Sequence, residues 1–154
     1  MPNFLYTYSF KDIVGVFTNT VLPPFPLGGE AGLDKIEVEM SRDRVNLKVA
    51  ADAGMMMSYL AGANGTMLVT CQETSPLDAY LVNYVDIIYS QADKANLLNF
   101  AAGQWLISDI INARSHRAVG AIPLKIPNRP YEGEGQNVTW TFICAQITNE
   151  ALLP

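Results

Sequence analysis

The sequence predicts a mainly β chain with one amphipathic helix laid against an antiparallel sheet. Helical spacing of apolar residues is clear in one stretch only, where Leu77, Leu81, Tyr84, Val85 and Ile88 fall on one stripe. The other apolar runs are mostly short, alternate with polar residues and are bounded by Gly, Pro, Asn or Asp. A lone helix of about four turns is marginal in water, so the stripe needs the sheet as cover. With 154 residues and 49% apolar content, the chain is long enough for one domain, 1–154, with a real core.

Taken in order, Phe4, Tyr6, Tyr8 and Phe10 alternate with Leu5, Thr7, Ser9 and Lys11, an extended segment that begins as an N-terminal arm over residues 1–7. A bend at Lys11-Asp12 then lets Ile13 to Phe17 resume as strand. Residues 18–33 hold Pro23, Pro24, Pro26, Gly28, Gly29 and Gly32 and read as a long loop. Its Val21, Leu22, Phe25 and Leu27 favour contact with something over free motion. Ile36, Val38 and Met40 alternate with Glu37 and Glu39, and Val45, Leu47 and Val49 with Asn46 and Lys48. With Ser41–Arg44 as the loop, this predicts a hairpin in which Met40 faces Val45, Val38 faces Leu47, Ile36 faces Val49, and Glu37 faces Lys48.

Met55 to Leu60 is a further strand between the turns at Asp52-Ala53-Gly54 and Gly62-Ala63-Asn64-Gly65, its methionines read as core filling. Thr66 to Cys71 leads into the helix, about residues 75–91, where Ser75 is the N-cap, Pro76 the first helical residue and Asp78 a negative charge at the positive end. Residues 92–103 are ambiguous between a helical turn and a covering loop. Trp105 to Ile111 reads as strand, Arg114–Arg117 as a polar turn, and Ala118 to Ile126 as a strand whose Pro123 argues for an edge or a bulge. Asn128 to Gly135 is loop, Asn137 to Ile147 a strong last strand, and 148–154 a short C-terminal arm.

Fifteen acidic residues against ten basic ones give a formal charge of −5, with no basic run beyond the sparse Arg42, Arg44 and Lys48, so tight binding to phosphate backbones is excluded. Charged residues make up only 16% of the chain, which hints at surfaces buried against other chains. The first residues carry neither a basic nor an apolar leader region, and no apolar run reaches membrane-spanning length. Cys71 and Cys144 read as a reduced, buried pair.

The catalytic inventory is empty. His116, the one histidine, sits between Arg114 and Arg117, where positive neighbours disfavour the imidazolium, and it reads as a turn residue. One histidine and two separated cysteines assemble no zinc site, and no cofactor is implied. Glu37 and Glu39 share a strand face, but Lys48 offers Glu37 a neutralising partner and spoils it as an acid. Gly28-Gly29-Glu30-Ala31-Gly32 lacks the strand and lysine of a phosphate loop.

The order of landmarks carries a resemblance. Tyr8-Ser9-Phe10-Lys11-Asp12-Ile13-Val14-Gly15 opens the first strand, Ala51-Asp52-Ala53-Gly54 turns between strands, and Gln72-Glu73-Thr74-Ser75-Pro76-Leu77 leads into the helix. Lys125-Ile126-Pro127 and Val138-Thr139-Trp140-Thr141-Phe142 close the chain. Across its whole length the chain resembles the tail-tube proteins of contractile-tailed bacteriophages. The resemblance implies an antiparallel β-sandwich or barrel-like subunit with one flanking helix, forming hexameric rings that stack into a tube inside a contractile sheath. It further implies a tape-measure protein, baseplate and tail-terminator proteins as partners, transient passage of DNA, and residence in the virion after assembly in the host cytoplasm.

On this reading the contacts between subunits and rings fall to Phe4, Tyr6, Val21, Leu22, Phe25, Leu27, Arg42, Arg44 and Leu152, and Glu37 and Glu39 are the first candidates for acids lining the bore. A ring of six would carry about six times −5, which repels a DNA backbone. The competing reading is a β-sandwich module that binds sugar or protein through Tyr131, Trp105 or Trp140, although both tryptophans lie within strands.

Overall fold

The computed structural model describes residues 8–28, 31–90 and 103–151. After a single 3-10 turn at Phe10–Asp12, capped by Ser9, come β1 (Ile13–Thr18), β2 (Phe25–Leu27), β3 (Leu33–Met40), β4 (Val45–Val49), β5 (Met55–Tyr59) and β6 (Gly65–Gln72). Helix α1 (Pro76–Ser90) follows, then β7 (Gly103–Asp109), β8 (Arg114–Pro123) and β9 (Asn137–Ala151). Among the described residues seven strands form one antiparallel half-barrel in the order β2-β1-β7-β8-β9-β6-β3, while β4 and β5 pair only with each other.

The helix is where its stripe requires. Leu77, Leu81, Tyr84, Val85 and Ile88 are all buried against the sheet, and Asn83 and Asp86 face outward. Ser75 Oγ accepts from Asp78 N at 3.2 Å, the expected N-cap bond. Phe17 stands at the centre of the core, with ring centroids 4.6 Å from Trp105, 5.2 Å from Tyr84 and 5.9 Å from Phe142. Alternation along β6 is strict, with Gly65, Met67, Val69 and Cys71 buried and their neighbours turned outward.

The sheet folds over on itself along β8 and β9. In β9 the buried residues run Val138, Trp140, Phe142, Cys144 and then Ile147; in β8 they run Ala118 and then Ala121 and Pro123, so both strands change phase at the same level. Gly120 makes this possible: its φ is +67°, and a Cβ there would lie 2.8 Å from Ala145 Cβ. The register between β7 and β8 slips beside it, between Gly103 and Gln104. Long β9 therefore pairs with β6 through its first half and with β8 from Phe142 onward.

Three local readings need correction. The strand after Met40 does not fold back on β3; Met40 lies opposite Gly65, Val38 opposite Met67, and Glu37 opposite Leu68. β3 and β6 form the hairpin, closed by Ser41 N donating to Asn64 O at 3.1 Å, and residues between them are an inserted ribbon. That pairing places Ile36, Val38 and Met40 beside the core, whereas β4 offered them only a solvated partner. Arg114–Arg117 is strand, and the turn lies just before it, where Asp109 Oδ1 accepts from Ile111 N and Asn112 N, both at 3.2 Å. β9 runs on to Ala151, into the segment read as arm, because Arg114 to Arg117 supply it with partners.

Candidate assembly surfaces

The β4–β5 ribbon is the least covered part of the described chain. Val45 pairs with Tyr59, Leu47 with Met57 and Val49 with Met55, so one face is wholly apolar; Asn46 opposite Ser58 and Lys48 opposite Met56 make up the other. At the tip, Ala50 N donates to Gly54 O at 2.7 Å and Gly54 N to Asp52 Oδ1 at 3.1 Å, while Leu60 N donates to Arg44 O at 2.8 Å near the base. Tyr59 and Met55 are each 73% exposed and Met57 70%. The methionines read as core filling are therefore surface residues. Their alternation with Ser58 marks a strand correctly, but periodicity cannot say whether the covering partner belongs to the same chain. An isolated two-stranded ribbon is marginal in water, and one apolar face left open makes it more so.

Sheet edges are the second surface. Among the described residues β3 has β6 on one side and no strand on the other, which leaves a row of backbone groups along its outer side without a strand partner there. Glu37 and Glu39 project from it, exposed, with Lys35 Nζ 3.6 Å from Glu37 Oε2; the anticipated Glu37–Lys48 pair is absent because Lys48 lies on the ribbon. At the opposite edge β2 is three residues long with Pro26 at its centre, a blunted border.

The remaining expected contact residues are placed as follows. Arg42 and Arg44 are exposed at the base of the ribbon. Leu27 is buried, and Val21, Leu22 and Phe25 pack in part against the chain's own core. Their loop is tied to the helix: Asn19 Oδ1 accepts from Val21 N at 2.9 Å and Leu22 N at 2.7 Å, Asn19 Nδ2 donates to Tyr80 Oη at 2.8 Å, and Tyr80 Oη donates to Pro23 O at 2.5 Å. Burial raises the Tyr80 phenol, keeping it a donor. Phe4, Tyr6, Leu152 and the ambiguous stretch 92–102 lie outside the described residues.

A buried ionic hub, which no local pattern announces, fixes the loop between β8 and β9. Asp78, on the first turn of α1 and nearly fully buried, accepts from Arg129 Nη1 at 2.6 Å, Arg129 Nη2 at 2.8 Å and Trp140 Nε1 at 3.0 Å. The bidentate fork and indole donor satisfy the carboxylate where an apolar stripe would otherwise exclude it. Donation to Asp78 holds the Arg129 guanidinium further above its ordinary range. Both tryptophans are fully buried, so they offer no binding platform, and Tyr131, 89% exposed, stands as a single projecting ring.

His116 lines an open hollow of about 440 Å³ with Tyr8, Ile13, Ile107, Asp109 and Arg114, and its Nδ1 lies 2.6 Å from Asn149 Oδ1. No cluster of metal-ligating residues occurs among the described residues. Both cysteines are free and buried, and burial pushes each thiol up to about 11.

The model of the bacteriophage PhiTE tail tube protein family matches residues 5–152. No curated protein matches the sequence. Among solved structures, the fold is similar to that of a chain in the sheath/tube terminator of an extracellular contractile injection system, PVC, in the extended state, with TM-score 0.65, 9% identity and coverage of 97% of this chain and 100% of the other. A chain of the sheath-tube complex of that system gives TM-score 0.63 at 8% identity over 96% and 93% of the two chains. The tube-terminating cap of the anti-feeding prophage gives 0.60 at 12% over 99% and 96%. At these identities the likeness speaks for the fold, and the family match over nearly the whole chain speaks for descent. The chain belongs to the bacteriophage PhiTE tail tube protein family and is a structural component of the phage tail, not an enzyme.

Proposed function

We propose that this chain polymerises as hexameric rings that stack into the inner tube of a contractile phage tail, forming the channel through which DNA leaves the particle. The observation that carries the reading is the apolar face of the β4–β5 ribbon, three cross-strand pairs long and covered by nothing among the described residues of its own chain. A tail subunit with such a face is completed by a second copy. The open β3 edge supports the same reading, because a neighbour's strand satisfies its free backbone groups.

The partners that follow are a sheath around the tube, a tape-measure protein within it during assembly, and baseplate and terminator proteins at its ends. Assembly takes place in the host cytoplasm, and the product resides in the virion. Negative-stain microscopy of the concentrated chain tests the reading: rings of six copies or hollow tubes are expected, and a uniform field of single particles at every concentration would overturn it.

A further inference from the structure

We propose that Met55 and Met57 are a reversible oxidation site that decides whether a free subunit can assemble; this rests on the tube reading. Three of the chain's six methionines stand together at 55–57, and all three are exposed. Met55 lies opposite Val49 and Met57 opposite Leu47 on the apolar face of the ribbon, whereas Met56 lies opposite Lys48 on the other face. Met67 is fully buried in β6, and Met40 is partly buried, with Asn149 Nδ2 donating to its Sδ at 3.8 Å.

A hydroperoxide is the oxidant that fits the site. The thioether sulfur attacks one oxygen of hydrogen peroxide, the O–O bond breaks, and the products are a sulfoxide and one water; sulfur loses the two electrons that the peroxide gains. Attack needs access, so the order of reaction follows exposure: residues 55–57 first, Met40 later and Met67 last. The cysteines do not compete, because peroxide oxidises the thiolate and both thiols are buried and pushed up to about 11.

A sulfoxide oxygen is polar and accepts hydrogen bonds. In a free subunit water satisfies it, and the single chain keeps its fold. On the apolar face the cross-strand neighbours Val49 and Leu47 bring no donor, and a second copy covering that face strips the water away. Oxidised subunits are therefore held back from a growing tube, and methionine sulfoxide reductases, one class for each sulfoxide epimer, return them to use. Once the face is covered the same sulfur atoms are out of reach, so the finished tube is insensitive.

Mild hydrogen peroxide treatment of the full chain, followed by peptide mass spectrometry and sedimentation velocity, tests this. Wild type with sulfoxides at 55 and 57 is expected to need about tenfold more protein to form assemblies, and to recover after incubation with both reductase classes. Met55→Leu/Met57→Leu keeps the apolar bulk and is expected to assemble equally before and after peroxide. Met56→Leu is expected to remain as sensitive as wild type.

Oxidation of Met67 ahead of Met55 and Met57 would overturn the site. So would sulfoxide-bearing wild type that assembles at the concentration of untreated protein, or an equal loss of assembly in peroxide-treated Met55→Leu/Met57→Leu. Untreated wild type that forms no tube at all would instead overturn the reading beneath it.

Discussion

Removing the partner of the buried carboxylate is the sharpest test of how the loop before β9 is held. In Arg129→Met the side chain keeps most of its apolar length, but the Asp78 carboxylate loses two charge-assisted bonds, at 2.6 and 2.8 Å, and keeps the one from Trp140 Nε1 at 3.0 Å. The side chains of Asp78 and Arg129 are 5% and 19% exposed, so water cannot fully replace the guanidinium. Breaking one side of such a pair costs about 3–5 kcal/mol. For a chain of this length that corresponds to a fall in Tm of roughly 6–20 °C. Urea denaturation at concentrations low enough to prevent assembly measures it, since association adds apparent stability. In the cycle with Asp78→Asn, the double variant is expected to be less destabilised than the sum of the singles by about 1–3 kcal/mol. Additive losses within about 0.5 kcal/mol would show that the two groups do not act as a unit.

Other outcomes follow from the same geometry. Tyr80→Phe removes the donor to Pro23 O and the acceptor for Asn19, which should cost about 1–3 kcal/mol and speed proteolysis within residues 19–28; unchanged cleavage there would show that the loop is held by its apolar contacts alone. Gly120→Ala forces a side chain into a φ of +67° and against Ala145, and should cost about 1–3 kcal/mol, read as a lowered urea midpoint. The cysteine thiols titrate at about 11 in the fold against an ordinary value of 9.0, so the unfolded chain sheds these protons first as pH rises. Folding stability is therefore expected to be unaffected by them below pH 9.0 and to fall progressively toward about 11, and Cys71→Ala/Cys144→Ala should lose that part of the alkaline slope.

The elements legible in the sequence are those whose signal is local. The helix can be read from its stripe and from Ser75-Pro76, and both features sit in the structure as their chemistry requires. Strand character is equally visible in 36–40, 45–49 and 66–71, because alternation survives whatever the partner. Partner choice is not visible. Pairing Ile36, Val38 and Met40 with the adjacent β4 satisfies both faces on paper, yet β6, some thirty residues on, offers a buried neighbour as well as a backbone ladder.

The role of Asp78 is hidden for a related reason. Its counter-charge, Arg129, arrives from a loop far along the chain, and an acid near a helix start is already explained by the helix dipole. Met55-Met56-Met57 misleads because alternation marks a strand without naming what covers it: side chains suited to a core are suited equally to an exposed face that, on the proposed reading, another copy covers. Phase changes in β8 and β9 have a trace in Gly120, but a lone glycine in a strand pattern marks a bulge without saying which way the strand turns.

The claim on which the tube reading turns is that the ribbon's apolar face is finished by another copy, and Leu47→Ser/Met57→Ser tests it most directly. Both residues are solvated in the single chain, so its folding stability, measured when dilute, should change by no more than about 0.5 kcal/mol per substitution. Sedimentation velocity of the concentrated proteins should then show wild type in fast-moving assemblies and the variant confined to the slow boundary of single subunits. Assemblies of equal size from both proteins would contradict the claim.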